Sequence, residues 1–284
     1  NGVAETSVSL GDLKPWAGPD SIASASDEAI LLYVRTAVAG VRHLSVDADD
    51  NVWVGGPNGV WQKFNGDTGV LLRTEPTLGL GGQGGFISLD GKLHSIGGDF
   101  LIWQTSDPIA AQPASAHIME NAWGCALDSQ GNLWVTRDGT STIVKYSPIG
   151  EKLGEYYHGE PWAMGVAIDA NDHVWVAHSH CGRSVGHLLP DGRLVGNVEV
   201  ANHGPVEVSI DRHGRIWVVS STGVVESINP LGGPLGSDGV TPVGEVDLKS
   251  GNLGGALWTY GRFTGNAFAL SAPDGWWTNI YDGV

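Results

Sequence analysis

Positive charge is scarce in this chain. Fifteen lysines and arginines stand against 31 aspartates and glutamates, a formal net charge of −16. A surface basic enough to hold a phosphate backbone is not expected, which sets a nucleic-acid partner aside; the acidity reads as solubility in an extracellular or salty medium. No run of 18 apolar residues occurs, so no segment has the make-up of a membrane-spanning helix. Apolar residues nowhere recur at helical spacing. A phosphate-cradling glycine loop, a dense Asp/Asn calcium loop and a Ser-His-Asp array are missing as well. Cysteine is nearly absent, with Cys125 and Cys181 alone.

What the chain does have is glycine, 43 residues, and tryptophan, 12 residues, and both fall into a repeat. HLSVDADDNVWVG (43–55), GCALDSQGNLWVT (124–136), GVAIDANDHVWVA (165–177) and VEVSIDRHGRIWVV (206–219) are four copies of one hairpin. In each copy an aspartate (Asp47, Asp128, Asp169, Asp211) precedes a tryptophan (Trp53, Trp134, Trp175, Trp217) by six positions. Asp128, Asp169 and Asp211 stand 41 and 42 positions apart. Two degenerate copies complete the series: FISLDGKLHSI (86–96), read with a shortened turn, and FALSAPDGWWTNI (268–280). Short strands repeating at this period are the signature of a propeller, one blade per repeat. The aspartate bonds backbone N–H groups of its turn, and the tryptophan fills the wedge between blades. Both read as scaffold.

The predicted fold is all-β: a six-bladed β-propeller of four-stranded antiparallel blades, with residues 1–284 as one domain. Strand-like AILLYVRTAV (29–38) has no inner pair of its own, and the last copy ends without outer strands. The N-terminal strands are therefore expected to complete the C-terminal blade, residues 29–38 joining 264–284, and closing the ring removes open sheet edges. A Gly/Pro-rich insertion (231–240) interrupts blade five.

The layout resembles the NHL-type and streptogramin-lyase-like (virginiamycin B lyase-like) propellers, mostly secreted or surface bacterial proteins, on the strength of DSQGNLWV (128–135) and its copies. The resemblance implies the fold across most of the chain and leaves function open. The lyase pattern needs a histidine opening an inner strand and a glutamate three positions after the neighbouring tryptophan. Here the strand-opening positions hold Arg42, Trp123, Met164 and Val206, and the later ones Gly56, Arg137, His178 and Ser220. The family's catalytic set therefore does not carry over.

Chemistry in a propeller gathers on the face where loops lead into each first strand and out of each second strand. Sorted by that rule, the loops leading in supply His43, His117, Glu120, Trp123, His158, Glu160, Trp162, His203, Tyr260 and Arg262. The loops leading out supply Arg137, His178, His180 and Arg183. Two readings follow. In the first, Trp123, Arg137, Trp162, Tyr260 and Arg262 recognise a carbohydrate, peptide or small molecule, by stacking and hydrogen bonding, in a secreted or cell-surface binding domain. A chain opening on Asn1 rather than Met suits a processed secretory protein or an excised domain. In the second, His178, His180 and His203 hold a divalent metal in a lyase or lactonase-like hydrolase, since the His-x-His spacing sets two imidazoles on one side of a strand. Cys125 and Cys181, on neighbouring blades, form either one disulfide or two buried thiols.

Overall fold

The computed structural model describes residues 32, 34–57, 59–76, 81–82, 84–88, 90–97, 99–108, 117–118, 122–179, 182–200, 204–211 and 213–253. They build five antiparallel four-stranded meanders and, among them, no helix. Blade one comprises His43–Val46 (β1), Val52–Gly56 (β2), Val60–Phe64 (β3) and Leu71–Pro76 (β4). Blade two comprises Gly84–Ile87 (β5), Lys92–Gly97 (β6), Asp99–Gln104 (β7) and His117–Ile118 (β8). Blade three follows with Ala122–Leu127 (β9), Leu133–Arg137 (β10), Thr142–Tyr146 (β11) and Lys152–Tyr157 (β12). Ala163–Ile168 (β13), Val174–His178 (β14), Ser184–Leu188 (β15) and Leu194–Glu199 (β16) make blade four. Pro205–Ile210 (β17), Ile216–Ser220 (β18), Val225–Asn229 (β19) and Glu245–Lys249 (β20) make blade five. The first strands β1, β5, β9, β13 and β17 pack side by side in chain order, which is how propeller blades stand around a channel. The sixth blade and the closure expected between residues 29–38 and 264–284 lie outside the described residues, apart from positions 32 and 34–38. Those positions form no strand. Val34 and Val38 pack on Val54 and Phe64 of blade one, and Gln62 accepts hydrogen bonds from Thr36 Oγ1 and the Ala37 N–H.

The six-residue Asp–Trp spacing has a direct cause. The turn carboxylate accepts a hydrogen bond from the indole N–H of its tryptophan: Asp47 from Trp53 at 2.8 Å, Asp128 from Trp134 at 3.2 Å, Asp169 from Trp175 at 3.1 Å and Asp211 from Trp217 at 2.9 Å. The other carboxylate oxygen caps the turn, accepting from backbone N–H groups two and four residues on. Each indole is thus aimed by its own turn. Trp134 packs into the apolar cluster shared with blade four, and Trp175 into the one shared with blade five. A third partner comes from the third strand in blades one and three. Lys63 Nζ and Lys145 Nζ sit over Trp53 and Trp134 and reach Asp47 and Asp128 at 2.8 and 2.9 Å. Burial pushes the Asp128 carboxyl up, but bonds from Lys145, Asn132 and Trp134 outweigh it and hold the group below the usual carboxylate range.

Blade two corrects the sequence reading. Its turn is not shortened. Ser88 N–H donates to Lys92 O, and Gly91 N–H to Ser88 O, the same pattern as Asp47 with Asn51 and Asp50 with Asp47. The fourth turn position is left-handed in all five blades: Asp50, Gly91, Gly131, Asp172 and Gly214 have φ between 58° and 77°, a region glycine and aspartate tolerate. Ser88 therefore stands where the other blades carry the aspartate, and His94, six positions on, where they carry the tryptophan.

The insertion in blade five folds back onto blade four. Ser237 bonds the carbonyls of Val195 and Leu194, and Val243 joins the core between the two blades. Cys125 is buried on the side of β9 that faces blade two. Cys181 lies outside the described residues, and the disulfide with it.

Removing one turn carboxylate leaves an indole N–H, a lysine and two backbone N–H groups without their acceptor. Asp128→Ala should cost about 3 kcal/mol in denaturant unfolding, whereas a loss below about 0.5 kcal/mol would mean the carboxylate is a surface feature.

Candidate functional site

The loop face is best defined between blades three and four. The connection from β12 to β13 carries His158, Glu160 and Trp162. Trp162 has φ of 70°, a left-handed conformation that costs a bulky residue strain. Its backbone is clamped from both sides: Trp162 N–H donates to Thr140 O at 3.0 Å and Trp162 O accepts from Ser179 N–H at 2.8 Å. The loops after β10 and β14 thereby fix one residue of a third loop. The residue is 39% exposed.

Beneath it His158 and His178 are fully buried and stacked, 23° apart. His158 Nδ1 and His178 Nε2 are 3.0 Å apart, and His178 Nδ1 lies 2.8 Å from Ser184 Oγ. His158 Nε2 has no hydrogen-bond partner among the described residues. An unpaired acceptor costs less than an unpaired donor, so the proton belongs on His158 Nδ1. His158 then donates to His178 Nε2, and His178 Nδ1–H donates to Ser184. Gly186 of β15 makes room for the pair: a Cβ there would come within 2.4 Å of His158 O and 3.0 Å of the His178 ring. Burial lowers His158 to about 4, and burial together with neighbouring His158 lowers His178 to about 3. A second pair sits at the other end of blade four, where His187 stacks on Trp175 with ring centroids 3.9 Å apart. His187 Nε2 lies 2.6 Å from His173 Nδ1, and its Nδ1–H donates to Val243 O.

The residues singled out from sequence scatter. Trp123 is half-buried in β9, with the Arg42 guanidinium 5.8 Å above its ring. Arg137 turns along its own blade, where it donates to Thr142 Oγ1 at 2.7 Å and pairs with Glu155. His43 is buried in β1 with its ring 4.4 Å from that of Trp61, and His117 opens β8, an outer strand. His178 has both ring nitrogens engaged, so metal ligation requires giving up His158 or Ser184. His180, His203, Glu120, Tyr260 and Arg262 lie outside the described residues. Among the described residues no three His, Cys, Asp or Glu side chains are grouped to hold a metal ion. Sequence reasoning missed both imidazole pairings. The signal for the first was Gly186, a glycine at a strand interior where a side chain would normally stand.

In the folded chain four histidines take up a proton only near pH 3–4: His94 and His158 at about 4, His178 and His187 at about 3, against an ordinary 6.5. The unfolded chain protonates them from 6.5 downward. Stability is therefore intact above 6.5 and lost progressively as pH falls toward 3–4. Denaturant midpoints should fall across this window, less steeply for His178→Asn; a flat profile from 6.5 to about 4 would contradict the buried neutral pairs.

Comparison with solved structures matches this fold. A streptogramin B lyase superposes with a TM-score of 0.59 at 13% identity, over 70% of this chain and 68% of that one. Virginiamycin B lyase from Staphylococcus aureus gives 0.58 at 15%, over 68% of each chain, as does its catalytically inactive form with quinupristin. U3-55K gives 0.57 at 13%, over 68% of this chain and 62% of that one. No protein-family model matches, and no curated protein sequence does. The chain has a streptogramin-lyase-like β-propeller fold.

Proposed function

We propose that the chain is a binding propeller, secreted or displayed at a cell surface, that recognises its ligand on the loop face around Trp162. The observation that carries this reading is a solvent-facing aromatic side chain held in a left-handed backbone conformation and clamped by two neighbouring loops. Backbone strain of this kind persists where the surroundings over-determine it, and it gathers at ligand clamps. A pinned indole presents a stacking surface with little entropy left to lose on binding. Trp123, which lies under Arg42, is proposed to take part in the same recognition, with Tyr260 and Arg262. A sugar ring, a peptide side chain or a flat small molecule fits such a surface; the inactive virginiamycin B lyase seen with quinupristin is a small-molecule complex on the same fold.

The alternative is a metal-dependent lyase or hydrolase built on His178, His180 and His203. It requires His178 to exchange one hydrogen bond for a metal bond. Retention of about one equivalent of zinc by the full chain through dialysis would favour it.

Trp162→Gly separates binding from folding. Glycine relieves the left-handed strain, so thermal unfolding should hold or rise, while signal on glycan and peptide arrays should be lost. Unchanged array signal would overturn the loop-face reading.

A further inference from the structure

The hairpin-turn face, opposite the loop face, carries a cavity of about 560 Å3, within the range of about 300–1,000 Å3 common for small-molecule sites. Its origin is the departure in blade two. At this level the other four described blades carry an indole bonded to a turn carboxylate, whereas blade two carries Ser88 and His94, both of which line the cavity. Smaller side chains leave open the space that a tryptophan would fill.

The lining has a definite chemistry. Phe86, Leu127, Pro148 and Ile168 supply apolar wall. His94 is only 6% exposed, and its Nδ1 has no hydrogen-bond partner among the described residues. Phe86 lies parallel to the imidazole, centroids 5.0 Å apart, and fixes its plane. Charge around the opening is mainly negative, from Asp90, Asp128, Asp169 and Asp172. Lys92, the basic residue of the lining, is paired with Asp90 at 2.6 Å. Asp128 and Asp169 are committed to their own turns and indoles. Asp172 is held at the rim by the N–H and hydroxyl of Ser129 at 2.7 and 2.5 Å, with lone pairs left to accept further bonds.

We propose that this cavity binds a small organic cation, an amine on a flat apolar body, with its ring against Phe86, Leu127 and Ile168 and its ammonium toward Asp172. An anion is disfavoured by the rim. A bare metal ion is disfavoured because the carboxylates are spread over three turns and largely saturated. His94, lowered by burial to about 4, is neutral at pH 7 and does not repel an ammonium.

The test uses the full chain with two probes of matched shape, phenethylamine and hydrocinnamate, titrated while backbone amide shifts are followed. Phenethylamine should produce saturable shifts in residues 86–94 and 127–131, and hydrocinnamate none at the same concentrations. Asp172→Asn keeps an oxygen for the Ser129 N–H, lets its amide donate to the Ser129 hydroxyl, and should weaken the amine about tenfold, the loss expected for one charge-assisted hydrogen bond. Ser88→Asp combined with His94→Trp rebuilds the pair of the other blades; it should abolish binding and raise the melting temperature. The proposal is overturned if phenethylamine gives no saturable shifts, if both probes bind alike, if Asp172→Asn binds as the parent does, or if the filled variant binds unchanged. All three substitutions lie away from the loop face, so the result is independent of the Trp162 reading.

Discussion

One hydrogen bond organises the scaffold, that from a tryptophan indole to the aspartate of its own hairpin turn. A turn aspartate alone would cap backbone, and a wedge tryptophan alone would bury area; joined, they fix the turn, the register of the inner hairpin and the direction in which the largest side chain leaves the sheet. A fully buried indole contributes on the order of 4 kcal/mol, but only in the orientation the neighbouring blade can accept. The carboxylate therefore converts a non-directional driving force into a repeatable blade-to-blade contact. Trp134 and Trp175 show the outcome, each lying in the core its blade shares with the next.

Around that constant pair the third strand varies, and each variant has a different consequence. Lys63 and Lys145 compensate the buried carboxylate and cover the indole. In blade four His187 takes that register position opposite Trp175, stacks on it and ties it through Val243 to the insertion of blade five. Ser227 stands opposite Trp217 in blade five. Blade two replaces the pair itself, and there a cavity opens. Departures from an otherwise strict local rule are where function is expected to sit. This chain places one such departure on each face: Trp162 in a left-handed loop and His94 in a tryptophan's place.

Much of the blade plan was legible because the Asp–Trp spacing is short-range and the strands alternate cleanly; the four hairpins read from sequence fall on β1–β2, β9–β10, β13–β14 and β17–β18. Blade two was misread because serine and histidine do not advertise an Asp–Trp position, although Gly91 keeps the left-handed place three residues after Ser88. The site was less legible for a physical reason. Which loop residues meet depends on how blades pack and on the register of distant strands. Arg137 looked like a rim cation until β12 brought Glu155 against it. His158 and His178 were both placed on the loop face, but their mutual bond needs β15 beneath them and a glycine at 186. The strain at Trp162 depends on carbonyl and N–H partners supplied by two other loops.

The central claim is energetic: turn aspartate and wedge tryptophan act as one unit. Asp211 and Trp217 offer the cleanest case, because one carboxylate oxygen serves the indole at 2.9 Å while the other serves the turn N–H groups of His213 and Arg215. A double-mutant cycle with Asp211→Asn and Trp217→Phe, read by denaturant unfolding, measures their coupling. The account predicts a coupling of about 1–2 kcal/mol, the worth of a charge-assisted hydrogen bond in a partly buried site. Strictly additive effects, with coupling below about 0.3 kcal/mol, would contradict it.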